Sequence, residues 1–353
     1  MEREPFRTVW KDEVTSMNFL LPLLNSLPGA VTQGLLWGIM AIGVYLTYRI
    51  LDVADLTVDG SLATGGAMCV VLMRLGVNPW LALLGAFAAG LAAGLITGLL
   101  HTRCGIPAIL AGILTQLALY SVNLRIMGGK ANTPISIDKY DLLVSQRNVR
   151  ELSLQNPLLL AVLFLAVLIG ILYWFFGTEY GMSIRATGCN SAMSKAEGIN
   201  TKRTTIIALV LSNGFVGLSG ALLAQYQGFA DVNMGRGAIV IGLAAVIIGM
   251  VLGEVILRKH FNFIGKLSFT AIGAIVYFVV LRIVMLIGLS TDNTKLFSAI
   301  IVALFLAVPY LQKTSKTSFR KAGKRSLAAV TDEAEHLGAV LANSVTSPKK
   351  EGK

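Results

Sequence analysis

Three carboxylates stand close together early in an otherwise apolar sequence. Asp52, Asp55 and Asp59 fall at i, i+3 and i+7 in DVADLTVDGSLATGG, so they share one face if the stretch is helical. Acids in such a setting can hold a proton or a cation. They can also cap the start of a helix, with Gly60 beside them easing close packing. A second set is polar without being acidic. Asn123 and Arg125 sit near the end of one apolar run, and Asn213 and Gln225 lie within another. Such side chains make interhelical hydrogen bonds or line a polar route. A third set is basic: Gly181–Arg203 holds Arg185, Lys195, Lys202 and Arg203 against Glu197 alone. The sequence offers no catalytic constellation beside these. It has no Gly-x4-Gly-Lys-Ser/Thr phosphate loop and no Gly-x-Ser-x-Gly. His101, His260 and His336 are far apart and lie near basic ends, so a metal centre is not expected.

The elements that must position these residues are membrane spans. Of 353 residues 55% are hydrophobic and 14% charged, with a mean hydropathy of +0.70. A soluble domain carries about 25% charged residues. Apolar windows of about 20 residues each suffice to cross roughly 30 Å of hydrocarbon. The pattern predicts an all-α polytopic protein with nine spans: 28–51, 56–75, 80–100, 106–127, 157–177, 204–226, 238–257, 265–289 and 294–311. The second is short of apolar residues unless part of the Asp-rich stretch lies at membrane depth, where it must be buried or line a cavity. Gly90, Gly94 and Gly98 mark one face of the third for close helix approach. The fifth is the most purely apolar and is expected to face lipid. Met17–Leu27 is too short to span and reads as interfacial. The expected organisation is a polar and interfacial segment at 1–27, a transmembrane domain at 28–312 with a loop at 178–203, and a basic tail at 313–353.

The net charge of +11 does not call for nucleic acid. Nine Lys or Arg and four Asp or Glu lie in Lys313–Lys353, and the rest are scattered at span ends, which suits an anionic lipid leaflet. Basic clusters at Arg258–His260, Lys313–Arg325 and the central loop fall on one side if spans alternate. That side is expected to be cytoplasmic, with the C-terminus. Nine spans leave the N-terminus outside, and a tenth drawn from the first 27 residues would move it inside. Cys69, Cys104 and Cys189 are scattered and odd in number, so no disulfide framework is implied.

The central loop carries a recognisable pattern: Arg185-Ala186-Thr187-Gly188-Cys189-Asn190, a few small residues, then Gly198-Ile199-Asn200. It resembles the cytoplasmic loop of ABC importer permeases of the branched-chain amino acid and ribose type. Gly235-Arg236-Gly237 leading into Ile241–Gly249 strengthens the likeness, which covers Gly29–Tyr310. Asp55–Ser61 is similar to the D-L-T-V-D-G-S form of a subgroup associated with aromatic amino acids. The resemblance implies a permease fold of type II character in a bacterial cytoplasmic membrane. It implies a homodimer around a central pathway, a separate ATPase using ATP and Mg below, and an extracytoplasmic substrate-binding protein above. This chain itself would need no cofactor and catalyse nothing. Arg185, Ala186, Gly188, Asn190, Glu197, Gly198, Ile199 and Asn200 would form the ATPase coupling helix. Asp55, Asp59, Gly60, Asn123, Arg125, Asn213 and Gln225 would lie in the pathway or its broken helix. An amino acid-like solute is expected. A sugar, nucleoside or vitamin is the alternative within the family, and an ion-coupled carrier using Asp52, Asp55 and Asp59 the alternative outside it.

Overall fold

The helix Thr201–Gln227 is mostly buried, and the reason lies in its small residues. In a bilayer the hydrophobic effect does not drive helices together, so they associate where their backbones can come close. In the computed structural model this helix packs chiefly against three others. A Cβ on Gly65 would lie 1.9 Å from the Gly217 carbonyl oxygen, one on Gly90 2.3 Å from that of Asn213, and one on Gly94 2.4 Å from that of Leu209. Only hydrogen fits at these crossings. The glycine stripe Gly90–Gly94–Gly98 is thus the expected packing face of its helix.

The structure describes residues 16–136, 139–140, 142–150, 156–257, 262–286, 296–305 and 307. The helices are α1 (Ser16–Tyr45), α2 (Thr57–Arg74), α3 (Pro79–Thr102), α4 (Ala108–Ile126), α5 (Pro157–Gly177), α6 (Glu179–Cys189), α7 (Ser191–Ala196), α8 (Thr201–Gln227), α9 (Ala238–Leu257) and α10 (Phe263–Leu286). A π-helical turn, Leu46–Ile50, prolongs α1. β1 (Asn132–Pro134) pairs antiparallel with β2 (Phe229–Asp231), a small ladder that the all-helical reading did not contain. α8 is enclosed by α1, α2 and α3, and α9 and α10 pack on α1. Met1–Ala303 forms one compact unit; the second begins at Leu304 and lies almost wholly outside the described residues.

Seven described helices are long and apolar enough to cross a membrane. α2 is not among them, because Asp59, Gly60, Ser61, Thr64, Gly65 and Gly66 dilute it. Nine was therefore an approximate count. The first span does not begin at Pro28. α1 is continuous from Ser16, so the segment expected to lie apart in the interface is its first turns. Of the ninth span only Leu296–Phe305 is described, as a short apolar helix. The cluster Arg258–His260, the first fifteen residues and the basic tail at 313–353 fall outside the described residues. α5 is the most apolar span and the least buried, as expected of a helix facing hydrocarbon.

Candidate functional site

The chain between the π-turn and α2 is not helical, and this separates the three carboxylates. Asp52 has φ +57° and is exposed. Asp55 is 2% exposed and accepts hydrogen bonds from the Thr57 amide at 2.9 Å and the Asn213 side-chain amide at 2.6 Å. The first is the local bond that Asp makes to the backbone two residues on. Asp59 accepts from the amides of Gly237 (3.0 Å) and Ile239 (2.9 Å), so it caps α9 across the bundle. The shared helical face does not form, since α2 begins only at Thr57. No group of three His, Cys, Asp or Glu that could hold a metal ion exists among the described residues. No side chain of this stretch caps α2, whose N-cap is Leu56; Asp55 closes a local turn and is buried, and Asp59 caps α9 instead. Asn213 stands about 18 Å along α8 from Thr201, at 1.5 Å per residue, so the break reaches deep into the bundle.

Polar bonds extend from it. The Asn213 side-chain oxygen accepts from Ser61 at 2.6 Å. The hydroxyls of Thr57 and Thr97 meet at 2.7 Å, and Thr97 donates to Thr115 at 2.9 Å. Asp59→Leu is expected to impair transport while the protein still inserts, since the two α9 amides lose their acceptor. Uptake in vesicles beside the amount of inserted protein checks this, and wild-type uptake would argue against a structural role for the cap.

Beside the break lies a pocket of about 300 Å³ between α2, α4 and the turn before α9. Asp59, Gly60, Gln116, Tyr120, Asn123, Asn233 and Arg236 are among its lining residues. Asn123 is 1% exposed, and neither its side-chain oxygen nor its nitrogen has a hydrogen-bond partner. Buried polar groups are partnered in the great majority of cases, and leaving one unpaired costs about 1–3 kcal/mol. The other expected pathway residues behave differently. Asn213 is fully engaged in the network above. Gln225 accepts from the Leu143 amide at 3.1 Å and donates toward the Cys69 sulfur at 3.3 Å. Arg125 is exposed at the end of α4, outside this lining. Tyr120 and Asn233 were not singled out from sequence; the spacing of Gln116, Tyr120 and Asn123 by four and three was the available signal.

The central loop folds as two short helices. Thr178 caps α6, Asn190 caps α7 by accepting from the amides of Ala192 and Met193, and Asn200 caps α8 by accepting from Arg203. Gly198 has φ +84°, its amide bonds to the Lys195 carbonyl and that of Ile199 to Ser194, the paired bonds of a Schellman end. The two asparagines and Gly198 of the motif are therefore caps and a stop. Gly188 faces inward: a Cβ there would lie 1.8 Å from the Ile50 carbonyl oxygen, on the π-turn that leads to the break. Arg185 faces inward too. Its guanidinium lies 4.2 Å from the Phe263 ring centre and 5.3 Å from that of Phe176, a cation–π seat that ties α6 to α5 and α10. Outward residues include Tyr180, Met182, Cys189, Asn190, Met193, Lys195 and Glu197; Ala186 itself is half-buried.

A glycine-zipped helical bundle, a non-helical break within it and a capped helical pair between spans form the architecture of a polytopic permease. The chain matches the family described as branched-chain amino acid transport system, permease component, over residues 27–309. It belongs to that family and is the permease subunit of an ABC importer, a multi-pass membrane protein and not itself an enzyme. It is 38% identical over 298 residues to the tyrosine transport system permease protein of Clostridioides difficile (strain R20291), covering 84% of this chain and 96% of that one. It is 26% identical over 317 residues to the ribose import permease protein RbsC of Escherichia coli (strain K12), covering 83% and 97%. Membership implies an ATPase subunit and a substrate-binding protein as partners. It also removes the ion-coupled carrier, whose three acids do not converge.

Proposed function

We propose that this chain forms, as a homodimer in a bacterial cytoplasmic membrane, the pathway for an amino acid-like solute handed over by an extracytoplasmic binding protein. The observation carrying the solute class is the higher identity to the tyrosine permease, 38% against 26% for the ribose permease. The central loop and C-terminus lie in the cytoplasm, which the basic residues of the loop support. ATP and Mg act on the separate ATPase, because this sequence has no phosphate loop.

The ATPase seats on the α6–α7 pair. Met182 and Met193 are more than half exposed there, and Met side chains suit insertion into a groove. Arg185, Ala186 and Gly188 hold the pair against the permease, Asn190, Gly198, Ile199 and Asn200 fix its turns, and Glu197 stays outward for a basic partner. Met193→Glu is expected to weaken co-purification of the ATPase tenfold or more, as a charge is forced into an apolar groove. Arg185→Glu is expected to act by loosening the pair from Phe176 and Phe263. Undiminished ATPase recovery with Met193→Glu would remove this docking face. Uptake of labelled tyrosine by liposomes holding all three components tests the solute class; uptake of ribose in its place would overturn it.

A further inference from the structure

α4 is the least apolar of the seven spans, yet only 28% of its apolar stretch is buried within this chain. α5 is less buried still, and it is the most apolar of the seven. Hydrocarbon can bathe α5. It is a poor solvent for the side of α4 that shows Tyr120, Ser121 and Arg125. That side adjoins the pocket in which Asn123 is buried without a partner. Two independent observations thus meet: a side of α4 on which Tyr120, Ser121 and Arg125 stand among exposed Leu117 and Val122, uncovered by the described residues, and an unpaired amide donor and acceptor beside it.

We infer that this pocket is a holding site for the solute in transit, and that it takes a zwitterionic amino acid. The inference rests on the amino-acid reading above. Its lining is dipolar, with one cation, Arg236, one carboxylate, Asp59, and the neutral amides of Gln116, Asn123 and Asn233. Arg236 is exposed and suits a carboxylate, which a guanidinium binds with two parallel bonds. Asp59 caps α9 through the Gly237 and Ile239 amides, one on each oxygen, with the Ala238 amide also turned to it, which leaves part of the about four acceptor sites of an ionised carboxylate. Sites therefore remain for an ammonium group. Asn123 supplies the hydrogen bonds the bundle leaves unused, and the Tyr120 ring, 44% exposed, gives the side chain a flat apolar wall. A volume of about 300 Å³ lies at the low end for small-molecule pockets. A neutral sugar would leave the guanidinium and the carboxylate without a charged partner.

Two measurements test this. In liposomes with the partner ATPase and binding protein, Asn123→Leu and Arg236→Gln are each expected to cut tyrosine uptake at least tenfold, with inserted protein and ATPase recovery unchanged. In the second, Tyr120→Cys is labelled by a charged thiol reagent in permease alone, with Cys104 and Cys189 replaced by Ser. Tyrosine at millimolar concentration should slow labelling, and tyramine, which lacks the carboxylate, should not. Unaltered uptake in both variants would overturn the site while wild-type tyrosine uptake left the amino-acid reading standing. Absent wild-type uptake would overturn that reading, and the labelling would then decide the pocket. Protection by ribose or tyramine as strong as by tyrosine would overturn the zwitterion.

Discussion

Gly65→Val is expected to abolish folded permease. The first carbon of any side chain at this position falls 1.9 Å from the Gly217 oxygen, 2.5 Å from its carbonyl carbon and 2.6 Å from its Cα. Overpacking a core costs about 1–3 kcal/mol when side chains can move aside. Here the obstacle is backbone inside a helix, so α2 and α8 must part along their length. Parting them also withdraws Leu62 from Gly220 and Ser61 from Asn213. The measurement is the yield of monodisperse protein in detergent, with its thermal midpoint. Gly85→Ala is the control, because its only near neighbour is the end of the flexible Leu72 side chain at 2.6 Å. A folded Gly65→Val protein with an unchanged midpoint would refute the backbone contact.

Asp55→Leu is expected to cost about 2–6 kcal/mol, since two buried donors lose their acceptor and each such loss runs to about 1–3 kcal/mol. Membrane hydrogen bonds between neutral groups average about 0.6 kcal/mol, so a value that small would mean that water or other partners replace the carboxylate. Asp55→Asn keeps one oxygen for the Thr57 amide and is expected to lose less. Thermal unfolding of the three proteins in one detergent orders them. Equal loss in both variants would show that the Asn213 contact, which an Asn at 55 meets with a donor in place of an acceptor, holds the break together.

The parts of this architecture read most directly from sequence are those set by local rules. Gly198 stops a helix and has the positive φ of a stop. The four-residue glycine spacing on α3 does pack on a neighbour. The Asp-rich stretch had to be buried or line a cavity, and Asp55 is buried. What escaped was long-range or depended on backbone shape. Asp59 caps a helix that starts 179 positions later in the chain, at Ala238. Nothing near Arg185 in sequence announces Phe263, on the far side of α8 and α9. The left-handed turn at Asp52 broke the helical spacing on which the shared carboxylate face depended. Asn123 was legible as a polar residue in a span; that it lacks a partner while Asn213 and Gln225 have theirs follows only from packing.

The weak apolarity of α2 bears on how the chain is made. A helix carrying a carboxylate, three hydroxyl residues and three glycines in its first ten positions is a poor candidate to partition into lipid unaided. Its side-chain partner Asn213 lies 158 residues downstream of Asp55. At a synthesis rate of roughly 5–20 residues per second, that interval is about 8–30 s. Throughout it the nascent α2 has neither the Asn213 amide nor the α9 amides that complete its bonds. The half-helix must shelter at the insertion machinery, or stay at the aqueous edge and re-enter when α8 arrives. Chains truncated before α8 would accordingly expose the Asp59 region to the aqueous phase, whereas full-length chains enclose it.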